Sequence, residues 1–279
     1  MLRRVALCLS LLTISACNGA EQGGAASRAA KSSAANAGAP HQPQPAHEAK
    51  PAGDTYANMP YAKARGALLA AGWLPLRTPE CRTNVGGDAP VCNALPETDS
   101  CSGDGHCLMR FAKPGGAQRL TLHAFGDASK WNGPDADFMV LSSETRALPS
   151  AAPAACPGKD FKAFLHAYAT SASVRSAFTA PVVKAAELHS DEQGDRVEPV
   201  AYASSDYNGF NLAYDGRAFH HIDAEGHTDS APLPVQTTDA ADGGTTVRYA
   251  YGSSEGRAYR FERSGDCWRL VEQLPPALD

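Results

Sequence analysis

The chain has 279 residues, of which 43% are hydrophobic, and its 30 acidic residues outnumber its 25 lysines and arginines to give a formal net charge of -5. This balance lacks the basic surface that nucleic-acid binding requires, and no apolar run reaches the roughly 18 residues of a membrane span. Composition therefore argues against a nucleic-acid-binding protein and against an integral membrane protein.

Residues 1–16 have the features of a signal peptide. Arg3 and Arg4 form a positive start, and residues 5–12 form a short apolar stretch. The sequence Ile-Ser-Ala-Cys at 14–17 resembles the lipobox of bacterial lipoproteins, in which the signal is cut before the cysteine and the sulfur carries a lipid. The alternative is an unlipidated secreted protein that is cut at the same place.

The lipobox resemblance implies a location. Acyl chains on Cys17 would add about 0.8 kcal/mol of membrane affinity per buried CH2 group, so several chains make a lasting anchor. In such lipoproteins an Asp after the cysteine favours the inner membrane, whereas Asn18 stands here. We therefore expect a lipid-anchored protein on the periplasmic face of the outer membrane.

A tether is predicted after the anchor, over residues 17–55. Residues 18–55 contain no Val, Ile, Leu, Met, Phe, Trp or Tyr, so they cannot bury enough apolar area to offset the entropy of ordering the chain. We expect a disordered segment that spans on the order of 30 Å. An alternative role for its Pro and Lys residues is contact with peptidoglycan.

Six cysteines lie beyond the anchor, and an even number in an oxidising compartment predicts three disulfides. Four of them cluster within residues 81–107, which favours local bridges there and leaves the last two to pair with each other. A zinc site at Cys101, His106 and Cys107 is the alternative, but adjacent ligands do not match zinc-ligand spacing. The six disulfide candidates are Cys81, Cys92, Cys101, Cys107, Cys156 and Cys267.

The first folded domain is expected over residues 56–146. A helix is predicted between Pro60 and Gly72, because apolar residues recur there at spacings of three and four. A short edge strand at 73–76 and a hairpin of 107–111 with 120–124 follow. Together these elements predict one helix packed on a small antiparallel sheet, followed by an Ala- and Pro-rich linker at 147–156.

The second domain is expected over residues 157–279. Its first element is a helix at 161–168, where apolar residues fall at i, i+3, i+4 and i+7. Strand-like segments follow at 182–188 and 197–202, then a hairpin around Asp215-Gly216 and a three-stranded meander at 245–274. The whole chain is therefore predicted to be α+β, with two small domains after a disordered tether.

The order of elements in the second domain resembles bacterial domains of the nuclear-transport-factor-2-like type. The resemblance rests on the 161–168 helix, the 175–183 segment and a sheet that ends at 268–270. It implies a cone-like curved sheet, and members of that superfamily bind small ligands, act as enzymes or bind proteins. This chain departs from the family in having less helix at the start of the domain.

One sequence pattern could indicate a nucleophile. Residues 252–256 match G-x-S-x-G, but the nucleophile elbow needs a helix after the serine and a histidine downstream. Residues 257–263 alternate like a strand, and the last histidine is His227. A hairpin turn is therefore expected there, and no catalytic residue is assigned.

The densest group of potential metal ligands lies after the Asp215-Gly216 turn. A two-residue turn would pair Leu212 with Phe219 and Phe210 with His221. His220 and His221 then point to opposite faces and cannot hold one ion together. A site at His221, Asp223 and His227 is the alternative; we predict no metal and no cofactor. The candidates for pocket-wall residues are Tyr214, His221 and Tyr249.

These features predict a non-catalytic binding module whose partners are the membrane, through the lipid, and a periplasmic protein or envelope component. A specific form is an inhibitor or immunity protein for a periplasmic toxin or hydrolase. The alternative is binding of a small apolar ligand, or enzyme chemistry, in a pocket of the second domain.

Overall fold

The computed structural model of the protein describes residues 55–87, 89–191, 194–252 and 255–275. The predicted signal peptide, Cys17 and residues 18–54 of the predicted tether lie outside these ranges. Among the described residues, no helix has the length and apolar character needed to cross a membrane. The described residues belong to one compact unit, Ala49–Asp279.

The first half of this unit is a five-stranded sheet with helices. Its strands are ordered β1-β3-β4-β5, with β2 also paired to β3, and all the pairs are antiparallel. We call it the first sheet. The elements are α1 (Tyr61–Ala70), β1 (Leu74–Pro75), α2 (Cys81–Asn84), α3 (Ala89–Ala94), β2 (Thr98–Cys101), β3 (His106–Ala112), β4 (Gln118–Phe125) and β5 (Met139–Ala147).

Helix α1 packs on one face of the first sheet, as predicted. Tyr61, Ala64 and Leu68 recur at spacings of three and four and are completely buried. They contact a core that includes Met109 and Phe111 of β3. The predicted β3–β4 hairpin is confirmed, whereas β5 was not expected from the sequence.

The second half contains a six-stranded sheet, the second sheet, in the order β10-β11-β12-β13-β6-β7. Its strand pairs are antiparallel except for β13 with β6, which is parallel. Strands β8 and β9 form a separate ribbon. The elements are α4 (Phe161–Thr170), α5 (Ala172–Phe178), β6 (Thr179–Asp191), β7 (Gly194–Ala203), β8 (Leu212–Tyr214), β9 (Phe219–His221), β10 (Gln236–Asp239), β11 (Thr245–Tyr251), β12 (Glu255–Ser264) and β13 (Cys267–Leu274).

The predicted α+β class is confirmed, and so are helix α4 and the meander β11–β12–β13. The predicted register of the β8–β9 hairpin is wrong. Leu212 pairs with His221 and Tyr214 pairs with Phe219, so the loop has four residues instead of two. The Asp215 carboxylate explains the longer loop, because its Oδ1 accepts hydrogen bonds of 2.8 Å from the backbone N–H groups of Arg217 and Ala218.

Three disulfides cross-link the fold, as the even cysteine count predicts. Cys81–Cys92 joins α2 to α3, and Cys101–Cys107 joins β2 to β3 across directly paired positions. Cys156–Cys267 ties the segment before α4 to the start of β13. Two bridges are therefore local, and the third closes a sequence separation of 111 residues.

The short segment 74–77 contacts both sheets. Leu74 and Pro75 pair with β3, and the Leu76 N–H donates to Arg110 O at 2.9 Å. On the other side, the Arg77 N–H donates to Ala201 O of β7 at 2.8 Å. A small apolar cluster lies at the same place, formed by Leu76, Ala112, Leu148, Val182, Ala201 and Ala203. This junction places polar side chains from both sheets next to one another.

Candidate functional site

The candidate site is a cleft at the junction of the two sheets, made of two adjoining cavities. The larger cavity has a volume of about 460 Å³ and the smaller one about 340 Å³. Arg77, Glu187, Tyr202 and Asn208 line both cavities and therefore form the boundary between them. Volumes of this size fall at the lower end of the ~300–1,000 Å³ range of small-molecule sites.

An ion-pair network forms the floor of the cleft. Arg77 Nε donates to both carboxylate oxygens of Glu187, at 2.8 and 3.0 Å, and Nη2 pairs with the same carboxylate. Arg77 Nη1 donates to Cys92 O at 2.8 Å, and the Tyr202 hydroxyl donates to Glu187 Oε1 at 2.7 Å. The carboxylate is thus held by a fork-shaped guanidinium and a phenol.

Electrostatics keep the two partners of Glu187 in fixed protonation states. Burial opposes the charge on Arg77, but the hydrogen bonds and the charge of Glu187 outweigh it and raise the pKa of Arg77. Burial, with Glu187 as a second cause, raises the pKa of Tyr202. Arg77 therefore stays cationic and Tyr202 stays neutral, and together they hold Glu187 in one position.

The larger cavity has additional polar walls, which come from the second sheet and from the loop after β7. Its further lining residues include Tyr207, Gly209, Arg257 and Gln273. The Tyr207 hydroxyl donates to Gln273 Oε1 at 3.0 Å. Gly209 lets these side chains approach the backbone closely, since a Cβ there would lie 2.2 Å from Gln273 Oε1 and 3.0 Å from the Tyr207 ring and would displace the glutamine. The tyrosine and the glutamine can therefore close over the backbone.

Within the part of the chain that the structure describes, Arg257 differs from Arg77 in having no hydrogen-bonding or ion-pair partner. Its side chain is exposed, and among the described residues no hydrogen bond or ion pair to its guanidinium is found, whereas Arg77 is bound by Glu187. Arg257 lies directly across from Tyr249 in the β11–β12 pairing. Burial raises the pKa of the neighbouring Tyr207, although the charge of Arg257 acts to lower it.

The predicted pocket-wall residues lie in aromatic contacts. Tyr214 stacks on His166 with ring centroids 3.9 Å apart, and His221 stacks on Tyr251 at 3.8 Å. Tyr249 is buried, and its ring lies 6.2 Å from that of His221. The structure thus brings His221 and Tyr249 together, while the two cavities described above are lined by other residues.

The potential metal ligands of the same segment pair with one another. His227 Nδ1 lies 3.2 Å from Asp223 Oδ2, and His221 Nδ1 lies 3.5 Å from Asp229 Oδ2. In the part of the chain that the structure describes, no group of three or more His, Cys, Asp or Glu residues is arranged to hold a metal ion. The alternative zinc site also loses its ligands, because Cys101 and Cys107 form a disulfide.

The G-x-S-x-G segment joins two strands. Strand β11 ends at Tyr251, Gly252 has a positive φ of 69°, and strand β12 begins at Glu255. Residues 253 and 254 lie outside the described ranges. A strand follows the pattern where a nucleophile elbow requires a helix, which agrees with the predicted hairpin turn.

Sequence reasoning missed the cleft, because Arg77 and Glu187 are 110 residues apart and neither lies in a recognisable motif. Comparison with known proteins adds no assignment, since no family model, no curated protein and no solved structure matches the chain.

Proposed function

We propose that the protein is a lipoprotein of the outer membrane, with Cys17 as the lipid attachment site, and that its folded body is a non-catalytic binding module in the periplasm. The observation that carries this proposal is the combination of a lipobox with three disulfides in the folded body. Disulfides persist in oxidising compartments such as the periplasm, so two independent features support one location.

The cleft is the proposed binding surface. Its floor is already ordered by the Arg77–Glu187–Tyr202 network, so the protein would lose little conformational entropy when a partner binds. The partner class is a periplasmic protein or an envelope component, and an inhibitor or immunity protein for a periplasmic toxin or hydrolase is the specific form that we propose. The acidic balance of the chain fits such partners better than a polyanion.

The alternative of a small apolar ligand in the second half receives less support. The space between α4 and the second sheet is filled by aromatic side chains, among which Phe164, Tyr168 and Phe261 are completely buried. The cleft offers charged and hydroxyl groups, which suit a polar ligand. Any ligand site in this protein is therefore proposed for the cleft.

Lipid attachment is tested by metabolic labelling with a palmitate analogue, followed by membrane fractionation. We expect label on the wild-type protein and loss of label in Cys17→Ser, which should then leave the membrane fraction, because an acidic body has little attraction to anionic lipids. Cys8→Ser is the matched control and should stay labelled. Undiminished labelling or unchanged sedimentation of Cys17→Ser would show that the lipoprotein proposal is wrong.

A further inference from the structure

Two arginines line the larger cavity of the cleft, and they differ in their pairing with the described residues. Arg77 is neutralised by Glu187, whereas Arg257 is exposed and forms no ion pair or hydrogen bond within the described part of the chain. A guanidinium presents several N–H donors in a planar fork that matches the two oxygens of a carboxylate. The guanidinium of Arg257 is therefore available in this cavity to bind a carboxylate.

Apart from the Arg77–Glu187 ion pair, the polar groups that line the larger cavity with Arg257 are neutral hydrogen-bonding groups. The Tyr207 hydroxyl donates its proton to Gln273 Oε1, so its oxygen can still accept a hydrogen bond. The same bond orients the Gln273 amide and leaves its NH2 group as a donor. Asn208 adds a second amide to the cavity wall. These groups suit hydroxyl or amide groups that stand next to a ligand's carboxylate.

We propose that this part of the cleft is a carboxylate-recognition site, in which Arg257 binds the carboxylate and Tyr207, Asn208 and Gln273 bind neighbouring hydroxyl or amide groups. The inference rests on the proposed binding role of the cleft and names its ligand chemistry. The carboxylate can belong to a sugar acid or to an acidic residue of a polypeptide, and both share the chemistry that Arg257 recognises.

The test is a calorimetric titration of the full-length protein in detergent micelles. The probes are two matched pairs: glucuronate with glucose, and acetyl-glycyl-aspartate amide with its asparagine counterpart. We expect at least one carboxylated probe to bind about tenfold or more tightly than its neutral counterpart, since a hydrogen-bonded ion pair forms only with the carboxylate. Binding should weaken as salt is added.

Two arginine variants decide whether Arg257 is responsible. Arg257→Gln should reduce the affinity for the carboxylated probe to that for its neutral counterpart. Arg248→Gln is the matched control: it removes the same charge from an exposed arginine of β11, which lies on the face opposite that of buried Val247 and Tyr249, and it should leave affinity unchanged. Near-UV circular dichroism checks that both variants fold.

Each outcome has one consequence. A preference for glucuronate identifies a sugar acid as the ligand class, and a preference for the aspartate peptide identifies a polypeptide. Equal affinities within both probe pairs, or equal losses in Arg248→Gln and Arg257→Gln, would overturn the carboxylate site. The result of palmitate labelling does not depend on this titration. The two experiments can therefore contradict the anchoring proposal and the carboxylate site separately.

Discussion

The two sheets are stabilised by different kinds of buried contact. The first sheet region buries charge: Glu97 is completely buried and accepts hydrogen bonds from the Tyr61 hydroxyl at 2.6 Å and from Arg65 Nε at 2.5 Å. Nearby, Asp99 pairs with Arg110 at 2.6 Å. A buried carboxylate is tolerated because its oxygens have charged or hydroxyl partners.

The second sheet region buries aromatic rings. The Phe164 ring lies within 6 Å of Tyr168, Phe178, Phe261 and Trp268, which is the separation of packed aromatic pairs. Its cross-link is the long-range Cys156–Cys267 bridge, whereas the first sheet region has two local bridges. The first region thus adds a buried, paired carboxylate to its apolar core, whereas the second relies on apolar area and chain closure.

Removal of the long-range disulfide should have the largest effect. In the chain-entropy model, a loop of about 100 residues contributes roughly 4–5 kcal/mol of stability, and a loop of six residues contributes about 2 kcal/mol. We therefore expect Cys156→Ser/Cys267→Ser to lower the free energy of unfolding by about 4–5 kcal/mol. Cys101→Ser/Cys107→Ser should lower it by about half as much. Urea unfolding under oxidising conditions measures both, and equal losses would contradict the distinction between local and long-range bridges.

The second effect concerns the buried charge of the first sheet region. Glu97→Ala leaves the buried Tyr61 hydroxyl and the Arg65 guanidinium without their partner, and breaking a buried pair in this way costs about 3–5 kcal/mol. Urea unfolding followed by tryptophan fluorescence measures the loss, and Trp131, one of the three tryptophans, packs against both Tyr61 and Arg65.

Glu144→Ala provides the control for this measurement. Glu144 pairs with Arg146 at 2.9 Å on edge strand β5, where both side chains reach solvent, and such surface pairs contribute about 0–1 kcal/mol. Comparable losses in Glu97→Ala and Glu144→Ala would mean that burial of Glu97 does not make its pairing essential to the first sheet region.

The elements that could be predicted from the sequence are those in which buried apolar residues recur at a regular spacing. Helix α1 and the β3–β4 hairpin have apolar residues at helical and strand spacings, and both were found. Strand β5 was missed because it is an edge strand with polar residues, so it shows no regular alternation. The predicted β8–β9 register was wrong because the loop is lengthened by hydrogen bonds of the Asp215 side chain. A hydrophobic pattern contains no information about such hydrogen bonds.

The cleft could not be predicted for a different reason. Its floor requires residue 77 to lie beside β7 and to meet Glu187, and this depends on a junction between two sheets that lie far apart in the chain. Arg77 and Glu187 are charged residues in or beside strands. Taken alone, each would be interpreted as a surface residue. Pairing across a sequence separation of 110 residues is a property of the assembled fold.

The smallest effect that we predict is a response of the second sheet region to alkaline pH. Tyr168 is completely buried, and its hydroxyl bonds to Thr179 Oγ1 at 2.6 Å. Burial raises the pKa of Tyr168 well above its ordinary value of 10.0, against the opposing effects of Thr179 and Arg175. The phenol thus keeps its proton in the folded protein at a pH where the unfolded chain loses it.

Because the phenol of Tyr168 has a higher pKa in the folded protein than in the unfolded chain, its contribution to the free energy of unfolding falls as pH rises. The contribution of Tyr168 to stability is fully present below about pH 10 and is lost as pH rises from there towards the folded pKa; at pH 11 the loss is about 1.4 kcal/mol. Tyr168→Phe should therefore reduce the fall in unfolding free energy between pH 8 and pH 11 by about that amount, whatever the variant costs at pH 8. Phe178→Leu, which perturbs the same aromatic core without removing a phenol, should leave the fall unchanged. If Tyr168→Phe and Phe178→Leu lose stability in parallel over this pH interval, then the buried phenol of Tyr168 is not the group that couples this core to pH.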